Sequence, residues 1–96
     1  MADWTELPGA DLVRKGLDDL RAGRETAAAL LVAVGAPRLR RLGIDVPSVE
    51  APEHRLYDLL AREESDSAHS RYNALIRRLV SFERALECAS ARAATG

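Results

Sequence analysis

Residues 67–92 read SAHSRYNALIRRLVSFERALECASAR, and the spacing of their apolar members decides the fold. Tyr72, Leu75, Leu79, Phe82, Leu86, Ala89 and Ala93 recur three and four residues apart, which sets them along one side of an α-helix. The pattern predicts a helix over 67–91. About 25 residues at 1.5 Å each make a rod of roughly 37 Å, longer than a domain of this size is wide. Shorter segments must therefore pack against it. Ile76 and Val80 widen the apolar stripe to roughly half the circumference. A two-stranded coiled coil needs only a narrow seam, whereas a stripe this broad suits packing against several helices, with part of it free to form a dimer.

Composition agrees with a helical reading. Ala and Leu dominate, β-branched runs are almost missing, and Ala, Leu, Arg and Glu are strong helix formers. The 96 residues make one domain, 1–96, large enough to fold alone. Thirteen of the fourteen basic residues are Arg, which with the abundant Ala points to a GC-rich bacterial genome rather than to chemistry. Fourteen basic against fifteen acidic residues leave the net charge near zero, so a broadly basic surface is not the default. Cys88 is the single cysteine and has no disulfide partner within the chain, which fits a cytoplasmic location. The opening residues Met1-Ala2-Asp3-Trp4-Thr5-Glu6 are acidic and lack the apolar core of a signal peptide. The longest apolar run, Ala27 to Val34, spans eight residues, too few to cross a bilayer.

The segments before the long helix follow from their punctuation. Leu7-Pro8-Gly9 reads as a lead-in turn. A helix over 10–22 turns Leu12, Val13, Gly16, Leu17 and Leu20 inward, and Asp11, Arg14, Lys15, Asp18, Asp19 and Arg21 outward. Gly23 stops it. The segment 25–34 is apolar nearly all round and so predicts a buried helix, with Ala27-Ala28-Ala29 letting a neighbour approach closely. Gly35 ends that helix, and Pro37 opens a short one over 37–42. Gly43 then acts as a cap, with Ile44 folding back on Leu39. A loop over 45–51 leads to a helix over 52–63 that buries Leu56, Leu59, Leu60 and Tyr57. Ser65-Asp66-Ser67 offers N-caps in a row and predicts a short turn before the long helix. The expected fold is all-α, a compact bundle of four helices plus one short helix.

Few residues carry recognisable chemistry. Glu83 falls beside the stripe, where a carboxylate needs either water or an Arg from another helix or subunit. His54 and Asp58 sit one turn apart and His69 is the only further candidate ligand, which is short of a metal set. Cys88 has no base at a fixed offset and is expected to be partly covered. Arg38, Arg40 and Arg41, with Arg77 and Arg78, form clusters that could touch nucleic acid. Around the first cluster, the two helices joined at Gly35 imitate a helix-turn-helix, and Leu7-Pro8-Gly9-Ala10 resembles the hairpin of helix-hairpin-helix DNA binders, with Asp11 where that motif has glycine.

Arg62 and His69, with six residues between them, resemble the core motif of the HEPN family, small helical proteins that include metal-independent ribonucleases. The resemblance implies two subunits whose Arg and His converge on one cleft and act on RNA phosphate, Arg62 stabilising charge and His69 moving a proton. It covers eight residues. Glu63 stands where the family commonly has Asn, and a helix break falls inside the motif.

No phosphate-cradling glycine loop, paired catalytic carboxylates or catalytic triad can be assembled from the sequence. The expectation is therefore a non-catalytic, cofactor-free helical protein that acts by protein–protein contact or homodimerisation. Its interface is expected at Tyr72, Leu75, Leu79, Phe82 and Leu86. The second reading, from the Arg clusters and the Arg62–His69 pair, is nucleic-acid binding or RNA cleavage.

Overall fold

The computed structural model describes residues 4–95, with side chains through 92; Met1, Ala2 and Asp3 and the side chain of Ala93, which entered the readings above, lie outside the described residues. Five helices follow in order: α1 (Ala10–Arg21), α2 (Ala27–Val34), α3 (Ala36–Arg41), α4 (Pro52–Glu63) and α5 (Ala68–Thr95). One-turn 3-10 segments lie at Trp4–Glu6, just ahead of the lead-in turn at Leu7-Pro8-Gly9, and at Ser65–Ser67, in the serine-rich turn. No strand occurs among the described residues, and the fold is all-α. No helix among them is long and apolar enough to cross a membrane.

The core is built round α2. Its sequence, AAALLVAV, carries no polar side chain, and the six residues from Ala28 to Ala33 are buried. The remaining helices enclose it, with α1 and α4 making the broadest contacts and α3 and α5 closing the rest. The approach of α1 is set by Gly16. A Cβ at that position would lie 2.3 Å from the Ala28 carbonyl oxygen and 2.4 Å from Val32 Cγ2. Only a residue without a side chain lets the two backbones meet this closely.

The turn between α1 and α2 departs from the expectation at two residues. Asp19, expected on the solvent side, is 3% exposed. Its carboxylate accepts from Lys15 Nζ at 3.0 Å, Arg24 Nε at 3.0 Å and the Thr26 hydroxyl at 2.6 Å. The Thr26 hydroxyl in turn accepts the Ala29 N–H at 3.2 Å and so caps α2. The helix therefore starts at Ala27 and not at Glu25, because Thr26 is extended, with φ −102° and ψ 167°. One buried carboxylate thus links the end of α1 to the start of α2. These donors, the Thr26 hydroxyl first and Lys15 next, hold the Asp19 carboxyl well below the usual range.

Only Gly35 separates α2 from α3, because Pro37 lacks the N–H that would continue the helical ladder. After α3 the chain reverses at Gly43, whose φ is +97°; the Gly43 N–H bonds the Arg40 carbonyl at 3.0 Å and the Ile44 N–H the Leu39 carbonyl at 2.9 Å. This is the paired-bond glycine cap that the sequence predicts. Ile44 and Val46 then enter the core. Arg40 fixes the loop that follows, donating to the Val46 carbonyl through Nε at 3.0 Å and Nη2 at 2.7 Å. In α4, Leu56 and Leu60 are buried and Leu59 half-buried. Tyr57, expected inside, is 40% exposed and rests its ring on Tyr72, with centroids 5.9 Å apart.

The long helix continues past its predicted end, through Thr95. Its 28 residues give a length of about 42 Å, against a longest molecular extent of 47 Å. Leu79, Phe82 and Leu86 are buried, and the half-buried Trp4 meets Phe82 edge-on, with centroids 5.4 Å apart and planes at 81°. Beyond Leu86 the helix runs out from under its neighbours. Cys88, expected to be partly covered, is exposed, as are Ala91 and Arg92.

Two expected outcomes follow from the α1–α2 junction. Gly16→Ala forces the backbones apart and should cost about 1–3 kcal/mol, a fall of at least about 4 °C in Tm for a domain of this size. An unchanged melting curve would mean that the contact is looser than described. Asp19 contributes stability above its ordinary pKa of 3.8, and that stability is lost as pH falls toward its depressed folded value. Asp19→Asn should therefore melt lower than the wild type at pH 7, and the gap should narrow below pH 3.8.

Candidate functional site

The five residues of the expected interface divide into two groups. Leu79, Phe82 and Leu86 are buried within this chain's own core, packed among α1, α2 and α4 residues. Tyr72 and Leu75 are half-buried at its margin. Besides Leu75, the stripe reaches the surface along its outer edge, at Tyr72, Ile76 and Val80, all half-buried. These three recur every four residues and so form one row on α5.

Beside this row lies a groove of about 270 Å³ between α5 and the α2–α3 junction. Val34 and Pro37 face Ile76 and Val80 across it, and Arg38 and Arg41 stand at its rim. Gly35 is what lets the walls come together: a Cβ there would lie 2.9 Å from Leu79 Cδ2 and 3.1 Å from Glu83 Oε2.

Glu83 lines the groove while being only 4% exposed. Its Oε1 accepts from Arg38 Nη1 at 3.4 Å, and Arg38 Nη2 reaches Glu87 Oε2 at 2.7 Å. The Arg that such a carboxylate requires thus comes from another helix of the same chain. Burial raises the Glu83 pKa, and the charges of Arg38 and Arg41 oppose that shift only in part. Burial, reinforced by the charge of Glu53, likewise raises the hydroxyl pKa of Tyr72 at the other end of the row. Tyr57, whose ring meets that of Tyr72 at a tilt of 57°, extends the apolar surface onto α4.

The residues of the second reading are dispersed. Arg62 is exposed beside an open cleft that it lines with Glu25, Arg55, Asp58 and Ala61. His69 is exposed on α5, with Nε2 3.2 Å from Asn73 Nδ2. The turn at Ser65–Ser67 stands between them in the chain, and no hydrogen bond or ion pair joins them. His54 pairs with Asp58 at 3.1 Å on the outside of α4. No group of three or more His, Cys, Asp or Glu among the described residues could hold a metal. Of the clustered arginines, Arg38 serves Glu83 and Glu87, Arg40 serves the loop carbonyl, and Arg78 lies 3.6 Å from Asp11. The side chains of Arg41 and Arg77 make neither a hydrogen bond nor an ion pair with the described residues, although the charge of Arg41 reaches Glu83.

The breadth of the stripe signalled Ile76 and Val80 in the sequence. Val34 and Pro37 carried no such signal, since they belong to other helices and reach α5 only through the turn at Gly35. Comparison with protein-family models, with curated proteins and with solved structures yields no match to this chain.

The folded chain holds the Glu83 carboxyl above its ordinary 4.5, so the linked stability is complete below pH 4.5 and is lost as pH rises through the folded value. Glu83→Gln removes the buried charge, while Arg38 keeps Glu87 as a partner. Its Tm should exceed that of the wild type at pH 7 and converge with it below pH 4.5. A lower Tm at pH 7 would show that the Arg38 pair outweighs the desolvation.

Proposed function

We propose that the protein acts without catalysis, through protein–protein contact, and that it self-associates through the outer edge of α5. The observation that carries this reading is the row Tyr72, Ile76 and Val80, half-buried and bordered by the groove to Val34 and Pro37. Apolar surface gathered in this way and rimmed by charge is the usual make-up of a contact patch. The buried members of the stripe, Leu79, Phe82 and Leu86, hold the face in place from behind. A cytoplasmic setting fits an exposed, lone Cys88.

The arrangement of the arginines favours this reading over nucleic-acid binding. Arg38, Arg40 and Arg78 already meet carboxylates or a carbonyl of the same chain, which leaves less charge to neutralise phosphate.

In light scattering on a size-exclusion column, the 10.5 kDa chain should run at about twice its mass and hold that mass through added salt. Val80→Glu should lower the mass to one chain while leaving the helical circular dichroism unchanged, because Val80 lies outside the buried core. A wild-type mass of one chain at every concentration would overturn the reading.

A further inference from the structure

The groove beside the α5 row holds an acceptor that the folded chain leaves open. Glu83 is 4% exposed, and Arg38 Nη1 reaches its Oε1 alone, at 3.4 Å. Oε2 accepts from no described residue and lies beside Gly35, which lines the same groove. The walls around it, Val34, Pro37, Ile76 and Val80, are apolar. A carboxylate oxygen in such walls fits an apolar body with a hydrogen-bond donor at its tip. A cavity of about 150 Å³ takes a benzene ring, so the groove, at about 270 Å³, has room for a phenol.

The same face presents one. Among the described residues, Tyr57 alone of the large apolar side chains is exposed. Its ring rests against Tyr72, and its hydroxyl makes no hydrogen bond with a described residue. Val34 and Pro37 line both this groove and a neighbouring one that Glu53 borders from α4. Glu53 and Tyr57 are four residues apart and so share a side of α4. Tyr57, the α5 row and the groove therefore lie on one side of the molecule.

We infer that the groove is the socket for Tyr57 of a second copy of this chain, whose hydroxyl donates to Glu83 Oε2. This rests on the self-association proposed above and names the side chain that enters the contact. Tyr57 cannot fill its own groove while it lies on Tyr72, eight residues or about 12 Å along α5 from Val80. A two-fold axis between the two, near Ile76, exchanges ring and groove and makes the contact twice. Each chain then supplies the donor that the other's buried carboxylate lacks, and the one exposed aromatic ring leaves water.

Sedimentation equilibrium and cross-linking test the socket. Tyr57→Ala should raise the dimer Kd about tenfold or more. Tyr57→Phe keeps the ring and its contact with Tyr72, loses the donor alone, and should raise Kd about tenfold. Cross-linking then locates the ring. On a Cys88→Ser background, which removes the exposed native thiol, Tyr57→Cys chains are mixed with Arg41→Cys chains and treated with a short bismaleimide. Arg41 stands at the groove's rim, so the mixture should give a linked heterodimer in much higher yield than either variant alone gives a linked homodimer. A wild-type dimer whose Kd is unchanged in Tyr57→Ala or in Tyr57→Phe would overturn the inference and leave self-association standing. A mixture that links no better than its components would overturn it as well. A wild type that stays monomeric would remove the parent reading and this one with it.

Discussion

A helix of eight residues without one polar side chain has to be enclosed on all sides, and that requirement organises the molecule. Exposing α2 on any face would return Leu or Val surface to water at about 25 cal/mol per Å². The enclosure explains why α1 must carry Gly16, since the apposition depends on backbone reaching backbone. It also explains why the loop after α3 dips inward at Ile44 and Val46 rather than staying in solvent. Arg40 belongs to the same solution: its guanidinium satisfies the carbonyl of Val46, a residue drawn into the core. The long helix forms the remaining wall, and its length beyond Leu86 exceeds what the enclosure needs.

Two carboxylates are buried along the seams of this enclosure, in opposite electrostatic circumstances. Asp19 gathers a hydroxyl, a lysine and an arginine, and the charged form is favoured. Its role is complete within the chain, as a link between helix end and helix cap. Glu83 has a single, longer contact to Arg38, and its desolvation exceeds what that contact returns. A buried charge that is incompletely matched is more often found at surfaces that do something than at seams that merely hold, which is why Glu83 draws attention to the groove it lines. Arg38 divides itself between Glu83 and Glu87 and so holds α3 to α5 while forming the groove's rim.

The outer edge of α5 therefore sits where two demands meet. Inward, Leu79, Phe82 and Leu86 belong to the core and give the row its rigidity. Outward, Tyr72, Ile76 and Val80 remain half-covered. A face of this kind on a rigid helix loses little conformational freedom on docking. The HEPN-like residues Arg62 and His69 are both exposed, on α4 and α5, with the Ser65–Ser67 turn between them.

Local chemistry was legible in the residues alone. The spacing of apolar positions on α5, the glycine cap at Gly43, the proline opening of α4 and the serine-rich turn each depend on a few neighbouring residues, and a few neighbours are enough to specify them. What the residues could not convey was which side of each helix would be covered. Asp19 looked like a surface acid because its helix is amphipathic, yet Arg24 and Thr26 arrive beyond the Gly23 turn and make its burial favourable. Tyr57 looked like core, but Leu56 and Leu60 already fill the space under α4 and leave its ring on the surface against Tyr72. The stripe of α5 was visible as a whole, whereas its division into a buried part and an exposed edge depends on where α2 and α3 end. Burial is set by segments far apart in the chain, and only their assembly round α2 decided it.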